Sequence, residues 1–448
     1  MAQACGNEAI VIGAGMGGLA AAMALSRRFE HVTVLDRDNL PSGPEPRIGT
    51  PQAQHGHALL LSGQQAWGQL FPGFERALED AGAVKMRAGV DIIWERPGYD
   101  PFPIRDLGFD SFFMSRALLE HVCRRRLTAE DNVSLLANSR VTEIVASDRH
   151  VVTAVRYDDA DGGTSTLSAD LVVDASGRGG PTLALLEALG LPKPETTEIG
   201  VDLGYSSAIF EASEPEPGRW RGIFHLPRAP DSSRGAAIFP LEGNRWLLGL
   251  GGRHDEVPPG DIDGVMAFFK GLRTPTIYDA VRDARRVSEI FRFNFPSSVR
   301  RHFERMPQFP RGLIPVADAV CRFNPLYGQG MSVAAMEARA LGQMLERREG
   351  TPDPLDGLAP EFFNEIQPLL ATPWAVAEGD FVFPQTRGVR PPDFDRRLRY
   401  GAGLLQLAAQ DPSVHKTMAE VSALLKPGTA LREPDIASRV MELIRAET

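Results

Sequence analysis

Apolar positions first gather in a short unbroken run, Ala9 to Ile12. A run of that length suits a strand buried on both faces of a parallel sheet. An Ala-rich stretch follows a glycine turn and predicts a helix, and "HVTVLD", residues 31–36, predicts a second strand ending in Asp36. The same alternation returns much later. "STLSADLVVDASGRGG" (165–180) reads as a strand ending in small residues, and the segment 309–341 reads as a strand, a turn and a helix. Between them, "GYSSAIFEA" (204–212), "AAIFPLEGNRWLLGLGG" (236–252) and "VSEIFRFNFP" (287–296) predict a sheet. In the last of these Phe291, Phe293 and Phe295 share a face by the two-residue period. Residues 257–272 predict a helix with acids near its start. After a Pro-rich linker at 350–360, apolar stripes in "FFNEIQPLL", "RRLRYGAGLLQLAAQ" and "MAEVSALL" predict a helical region packed on the rest, with membrane-surface docking as the alternative.

Composition narrows the class without naming it. The 448 residues suffice for two or three domains. A net charge of −10 argues against nucleic acid as a partner. Cys5, Cys123 and Cys321 lie far apart, which excludes a disulfide framework and fits a reducing compartment, so a cytoplasmic location is expected. No stretch reaches 18 apolar residues, so no membrane span is expected. The first apolar run leads straight into a glycine motif and reads as a strand, not a signal peptide. His55 and His57 share one side of an extended segment, but without a nearby carboxylate or cysteine no metal site is expected.

Two glycine-rich turns carry the chemistry. Gly13, Gly15 and Gly18 form G-x-G-x-x-G between the first strand and its helix, and Asp36 follows at the spacing of a ribose-binding acid. Such a turn places a pyrophosphate on a helix N-terminus. An acid at Asp36 suits a free ribose hydroxyl, so FAD or NAD is favoured over NADP there. The second turn is "NPLYGQGMSVAA" (324–335), where permissive residues again precede a helix and bare N–H groups face something negative. Three separated pieces suit a long cofactor, and a reduced flavin carries its charge near N1 and O2, where the second helix start would stabilise it. Asp318 would accept hydrogen bonds from ribityl hydroxyls.

These motifs resemble the flavoprotein monooxygenases of the p-hydroxybenzoate hydroxylase type, and within them the bacterial FAD-dependent epoxidases of polyether biosynthesis, with squalene epoxidase more distant. The residues carrying the resemblance are "GAGMGG" (13–18), "PRIGTPQAQHGHALL" (46–60), "DLVVDASGRGG" (170–180), "RRHFERM" (300–306), "ADAVCRFNPLYGQGM" (317–331) and "TPWAVAEGDFVFP" (372–384). The resemblance implies an α/β fold: a Rossmann-like FAD-binding domain (1–90, 116–185 and 300–350), an inserted mixed β-sheet substrate domain (91–115 and 190–299), and a C-terminal helical cap (355–448). It implies that Gly13, Ala14, Gly15, Gly17, Gly18, Asp36 and Arg37 hold the adenosine and pyrophosphate. Arg47 would approach the cofactor phosphates or the ring's entry, Arg116 would reach the phosphates from a helix start, and Val141 would touch adenine through its backbone. Asp318, Pro325, Gly328, Gly330 and Met331 would surround the ribityl chain and the ring. Phe112, Met114, Phe239, Trp246 and Phe293 are candidates for lining an apolar substrate cavity.

The implied reaction passes oxygen from a flavin C4a-hydroperoxide to a C=C bond of a lipophilic polyene or isoprenoid-like intermediate of secondary metabolism. No side-chain nucleophile is needed. Hydroxylation of an aromatic or polyketide substrate and reduction of an isoprenoid double bond remain open, as does flavin binding without catalysis. A flavin-dependent halogenase is disfavoured because the chain lacks W-x-W-x-I-P. Molecular oxygen is the co-substrate, and electrons come from NAD(P)H or a partner flavin reductase. Two positions depart from the family pattern. Ala317 stands where glycine is usual, and Ser176 stands where the aromatic hydroxylases carry an acid tied to nicotinamide handling. The second departure points toward slow direct reduction or a reductase partner.

Overall fold

A computed structural model describes residues 5–212 and 220–446. A five-stranded parallel sheet forms its base, in the order Leu313–Pro315, Leu171–Asp174, Gly6–Ile12, Phe29–Leu35, Val133–Leu136. Ile12 pairs with both Leu35 and Asp174, and Asp174 pairs with Pro315. The register therefore brings Gly13, Asp36, Ala175 and Val316 to one edge, outside the carboxyl ends of the strands, where open α/β sheets bind ligands.

The Met16–Leu25 helix starts at that edge, and Gly17 alone of its residues is not buried. Small side chains explain this. They let the Gly330–Arg348 helix cross so closely that a methyl on Gly342 would lie 3.3 Å from the Ala24 Cβ. A helix apolar all round belongs inside a core.

A seven-stranded mixed sheet stands beside the first, in the order Cys321–Arg322, Phe291–Arg301, Thr196–Glu211, Arg245–Arg253, Gly235–Leu241, Gly222–His225, Ile92–Glu95. Its two-residue edge strand begins three residues after Asp318, so the second sheet is tied directly to the first sheet's ligand edge. The Ile262–Lys270 and Thr276–Val281 helices cover one face, burying Phe210, Trp246, Leu248 and Phe269. Asp261 caps the first by accepting from Gly264 N at 2.8 Å. The other face looks back at the parallel sheet. The sequence-derived α/β architecture, with its mixed second sheet and C-terminal helices, is the one present.

The C-terminal helices divide their packing. Phe362, Phe363, Leu370, Trp374 and Phe381 join the main core. Leu404, Leu407, Val414 and Val440 close over Phe102 as a separate cluster. No helix of the described residues is long and apolar enough to cross a membrane.

Candidate functional site

At the first glycine turn each glycine has its own reason. Gly13 adopts φ +100°, and a Cβ there would meet Ala175 O at 2.7 Å. A Cβ on Gly18 would lie 1.8 Å from Gly13 O, so the helix cannot approach the strand with any side chain at that point. Gly15 is different: nothing lies within 4 Å of a Cβ built there. Its surroundings are open, and the helix it caps has neither a side-chain cap nor an acid in its first turn. That leaves a positive helix end facing open space.

Asp36 is buried, and its Oδ2 accepts from Ala14 N at 2.6 Å while Oδ1 accepts from Asp38 N at 2.9 Å. Arg47 crosses to it: Nη1 lies 3.2 Å from Asp36 Oδ1 and 2.8 Å from Asp38 Oδ2, and Nε donates to Glu120 Oε1 at 2.7 Å. Arg116, first in a helix capped by Ser115, pairs with Glu120 Oε2 at 2.8 Å. Burial pushes the Glu120 carboxyl up, but the Arg116 and Arg47 guanidiniums overcome it and hold the group below the usual carboxylate range. Val141 is half-buried in the neighbouring Arg140–Ala146 strand, whose entry is fixed by Ser139 N donating to Asp36 O at 2.7 Å. The Arg37 side chain is exposed because the residue after Asp36 alternates to the solvent side.

At the far end, Ala317 sits in the left-handed region at φ 56°, a conformation glycine adopts without strain. Its methyl packs toward Gly17, where a Cβ would lie 2.8 Å away. Ala317 N donates to Glu337 Oε2 at 2.6 Å. Asp318 follows, its pKa pushed up to about 6 by burial against the charges of Arg322 and Arg301. Arg301 donates to Ala319 O and Arg178 O, both at 2.9 Å, tying two of the separated segments together. Asp174 is wholly enclosed, accepting from Ser176 N at 3.0 Å and from Thr182 Oγ1 at 2.6 Å, so its charge serves its own turn.

Asn324 caps the Pro325–Tyr327 turn by accepting from Leu326 N at 3.1 Å. Gly328 reverses the chain at φ 65°. The Gly330–Arg348 helix then starts without a side-chain cap or a first-turn acid, and nothing lies within 4 Å of a Cβ on Gly330. Met331 is half-buried beside it, and Gln329 is buried with its amide oxygen unpartnered. Asp380, from the C-terminal region, holds this loop. Its carboxylate accepts from Arg253, from Tyr327 OH at 2.6 Å and from Asn324 Nδ2 at 2.9 Å.

Facing the loop is the inner side of the seven-stranded sheet. A Cβ on Gly251 would lie 3.3 Å from Leu326, and Tyr205 OH lies 3.4 Å from Asn324 Oδ1. The His55–Leu60 segment runs through this gap. His55 approaches Phe293 with a centroid distance of 5.8 Å, Ala58 packs on Gly328, and Leu60 N donates to Ser332 Oγ at 2.9 Å. Phe239 covers Gly56.

Phe239 and Phe293 are thus brought together here, and three other lining expectations need correction. Trp246 lies on the opposite face, beside Trp220 and under the Ile262–Lys270 helix. Phe112 and Met114 point into the main core. Phe113, between them, is the residue that meets Phe239, at 6.3 Å, in a cluster with Phe224 and Trp94. Both faces of these strands are buried, so alternation marks two faces without telling which one meets the site.

Glu120, Arg253, Arg301 and Asp380 were missed as site residues. The four-residue spacing Arg116–Glu120–Arg124 was a signal for the first. The roles of the others depend on contacts far apart in sequence.

The donor set fits FAD. Two uncapped helix starts supply N–H groups, Gly15 and Gly330 leave open approach, and the orphaned Gln329 oxygen matches the imide N–H of a flavin ring. The family model for FAD dependent oxidoreductases matches residues 8–189. Protein Rv3254 of Mycobacterium tuberculosis is 32% identical over 357 residues, covering 76% of this chain and 73% of that protein. Among solved structures, PqsL of Pseudomonas aeruginosa, described as a probable FAD-dependent monooxygenase, superposes with a TM-score of 0.61 at 17% identity, covering 85% of this chain and 98% of that one. The flavin-dependent brominase Bmp2 gives a TM-score of 0.59 at 16% identity over 98% and 93% of the two chains. At such identities the two structures establish shared fold alone.

Proposed function

The chain belongs to the FAD-dependent oxidoreductase family, and from that premise we propose that this FAD-dependent enzyme is a monooxygenase that epoxidises a C=C bond of a lipophilic substrate. The observation that carries the reading is the aromatic inner face of the second sheet, with Phe239 and Phe293, joined by Phe113 from a neighbouring strand and linked through the His55–Leu60 segment to the loop before the uncapped Gly330–Arg348 helix. FAD held between them supplies the redox chemistry and the activation of oxygen.

The protein's own share is positioning and exclusion. Asp36 and the Met16–Leu25 helix start hold the nucleotide end. Asp318 and the Gly330–Arg348 helix start hold the ribityl chain and the ring, and the helix dipole opposes the negative charge that reduction puts there. Phe239 and Phe113 shed water from the substrate side, which suppresses loss of activated oxygen. Asp380, through Tyr327 and Asn324, fixes the loop between the two. Ser176 in place of an acid favours electrons delivered by a partner reductase over direct nicotinamide docking.

The test is the mass of the product formed from candidate polyenes with reduced flavin and oxygen. Gain of one oxygen with loss of the alkene signal supports the proposal, whereas gain of one oxygen with the alkene retained marks hydroxylation instead. Gain of two hydrogens, or of halogen when halide is supplied, overturns it. Asp318→Ala should purify with little or no flavin; a variant as yellow as wild type would remove Asp318 from the ribityl contact.

A further inference from the structure

His55 belongs to the "HGH" segment, and nothing in the cofactor-holding machinery accounts for it. The residue is 8% exposed, and its ring stands beside Tyr205 and Phe293 on the inner face of the second sheet. Its Nδ1 lies 2.9 Å from Ser207 Oγ. Its other nitrogen, Nε2, has no partner among the described residues.

The Ser207 contact assigns the tautomer. Ser207 is 2% exposed and sits mid-strand, paired with Gly249 on one side and Phe291 on the other. His55 Nδ1 is the one partner of its hydroxyl among the described residues. A buried hydroxyl must place its proton on an acceptor, so Ser207 O–H donates to Nδ1 and the ring proton resides on Nε2. Burial lowers the His55 pKa to about 4, with no charged group contributing, so the ring is neutral near pH 7 and the arrangement persists. The flanking chain is anchored on the flavin loop side: Ala58 packs on Gly328 and Leu60 N donates to Ser332 Oγ. His55 therefore presents a fixed N–H donor in an aromatic enclosure between the sheet and that loop.

We propose that His55 is a specificity-determining residue whose Nε2–H donates to an oxygen acceptor on the substrate, so that the substrate is an oxygen-bearing alkene, such as a ketone, ester or ether, and not a bare hydrocarbon. The proposal rests on the monooxygenase reading for where the substrate lies. A donor fixed in an apolar enclosure is left unpaired by a hydrocarbon, and sites of this kind reject ligands lacking the matching group.

The test uses two isosteric probes, 2-acetylnaphthalene and 2-isopropenylnaphthalene, which differ by C=O against C=CH2. Calorimetric Kd values are measured on the FAD-loaded protein. Wild type should bind the ketone about tenfold more tightly, equivalent to about 1.4 kcal/mol. His55→Phe should bring the ratio near unity, His55→Gln should restore part of it, and Ser207→Ala should weaken it with flavin content unchanged. A ratio near unity in wild type, a ratio that survives His55→Phe, or no binding of either probe overturns the proposal. Flavin content and product mass are read separately, so a failure of the oxygen-transfer reading is recognisable while the binding ratio still reports on His55.

Discussion

Glu337 offers the sharpest test of the electrostatics under the cofactor edge. It is fully buried in the Gly330–Arg348 helix; Oε2 accepts from Ala317 N at 2.6 Å, and Oε1 has no partner among the described residues. Burial, reinforced by the Asp318 charge, pushes its pKa from 4.5 up to about 8. The sign follows from linkage. The folded state keeps a proton that the unfolded chain releases, so the stabilisation is complete below 4.5 and is lost as pH rises toward about 8. Glu337→Gln keeps an oxygen for the Ala317 N–H and removes the titration. At about 1.4 kcal/mol per pH unit, the loss that wild type alone suffers between pH 5 and 8 is on the order of 4 kcal/mol. Asp318, pushed up to about 6, adds a slope of the same sign to both proteins and cancels in the comparison. Urea unfolding of both proteins, with FAD in excess, is measured at pH 5 and pH 8. The variant should match wild type at pH 5 and exceed it at pH 8. Equal slopes for the two would show that Glu337 is ionised in the native state, and the account of its burial would fail.

The last two glycines of the first turn should separate folding from binding. Gly18→Ala forces a methyl into Gly13 O and should abolish soluble protein, whereas Gly15→Ala meets open space and should fold with its unfolding free energy within about 1 kcal/mol of wild type while FAD affinity, read by fluorescence titration, falls. Asp380→Ala strands the buried Arg253 charge and frees Tyr327 and Asn324, so urea unfolding should show a loss on the order of 3–5 kcal/mol. Asp380→Asn, which keeps an acceptor, should lose less.

The parallel sheet was legible because its strands are buried on both faces and read as unbroken apolar runs, as Ala9–Ile12 and Leu171–Val173 do. The Ile262–Lys270 helix was legible because Asp261 is a local cap. Asp36 and the first glycines were legible because spacing along the chain fixes their geometry. The contacts of Asp380 were not. Its three donors come from positions 253, 324 and 327, and only the closed fold brings them to one carboxylate.

The substrate face failed for a more instructive reason. Large side chains suggested themselves as cavity lining, yet the strand carrying Trp246 buries both sides, and the helix-covered side has the greater demand for bulk. On the site side the same strand places Gly249 and Gly251, where Phe239 and Leu326 approach closely. In a strand of a sheet that closes over a ligand, glycine marks the face another group must approach and bulky residues mark the face that packs on its own helices. In "RWLLGLGGR" 246, 248 and 250 belong to the core and 249 and 251 to the site, but Leu247 and Gly252 break the pattern, so the stretch alone does not settle its faces. The same rule bears on Gly56, whose missing side chain admits Phe239 and thereby sets how close His55 stands to the sheet. Gly56→Ala, placing a Cβ 2.4 Å from the Phe239 ring, is thus expected to displace Phe239 and disturb the His55–Ser207 contact together, whereas a change at Trp246 leaves that contact intact.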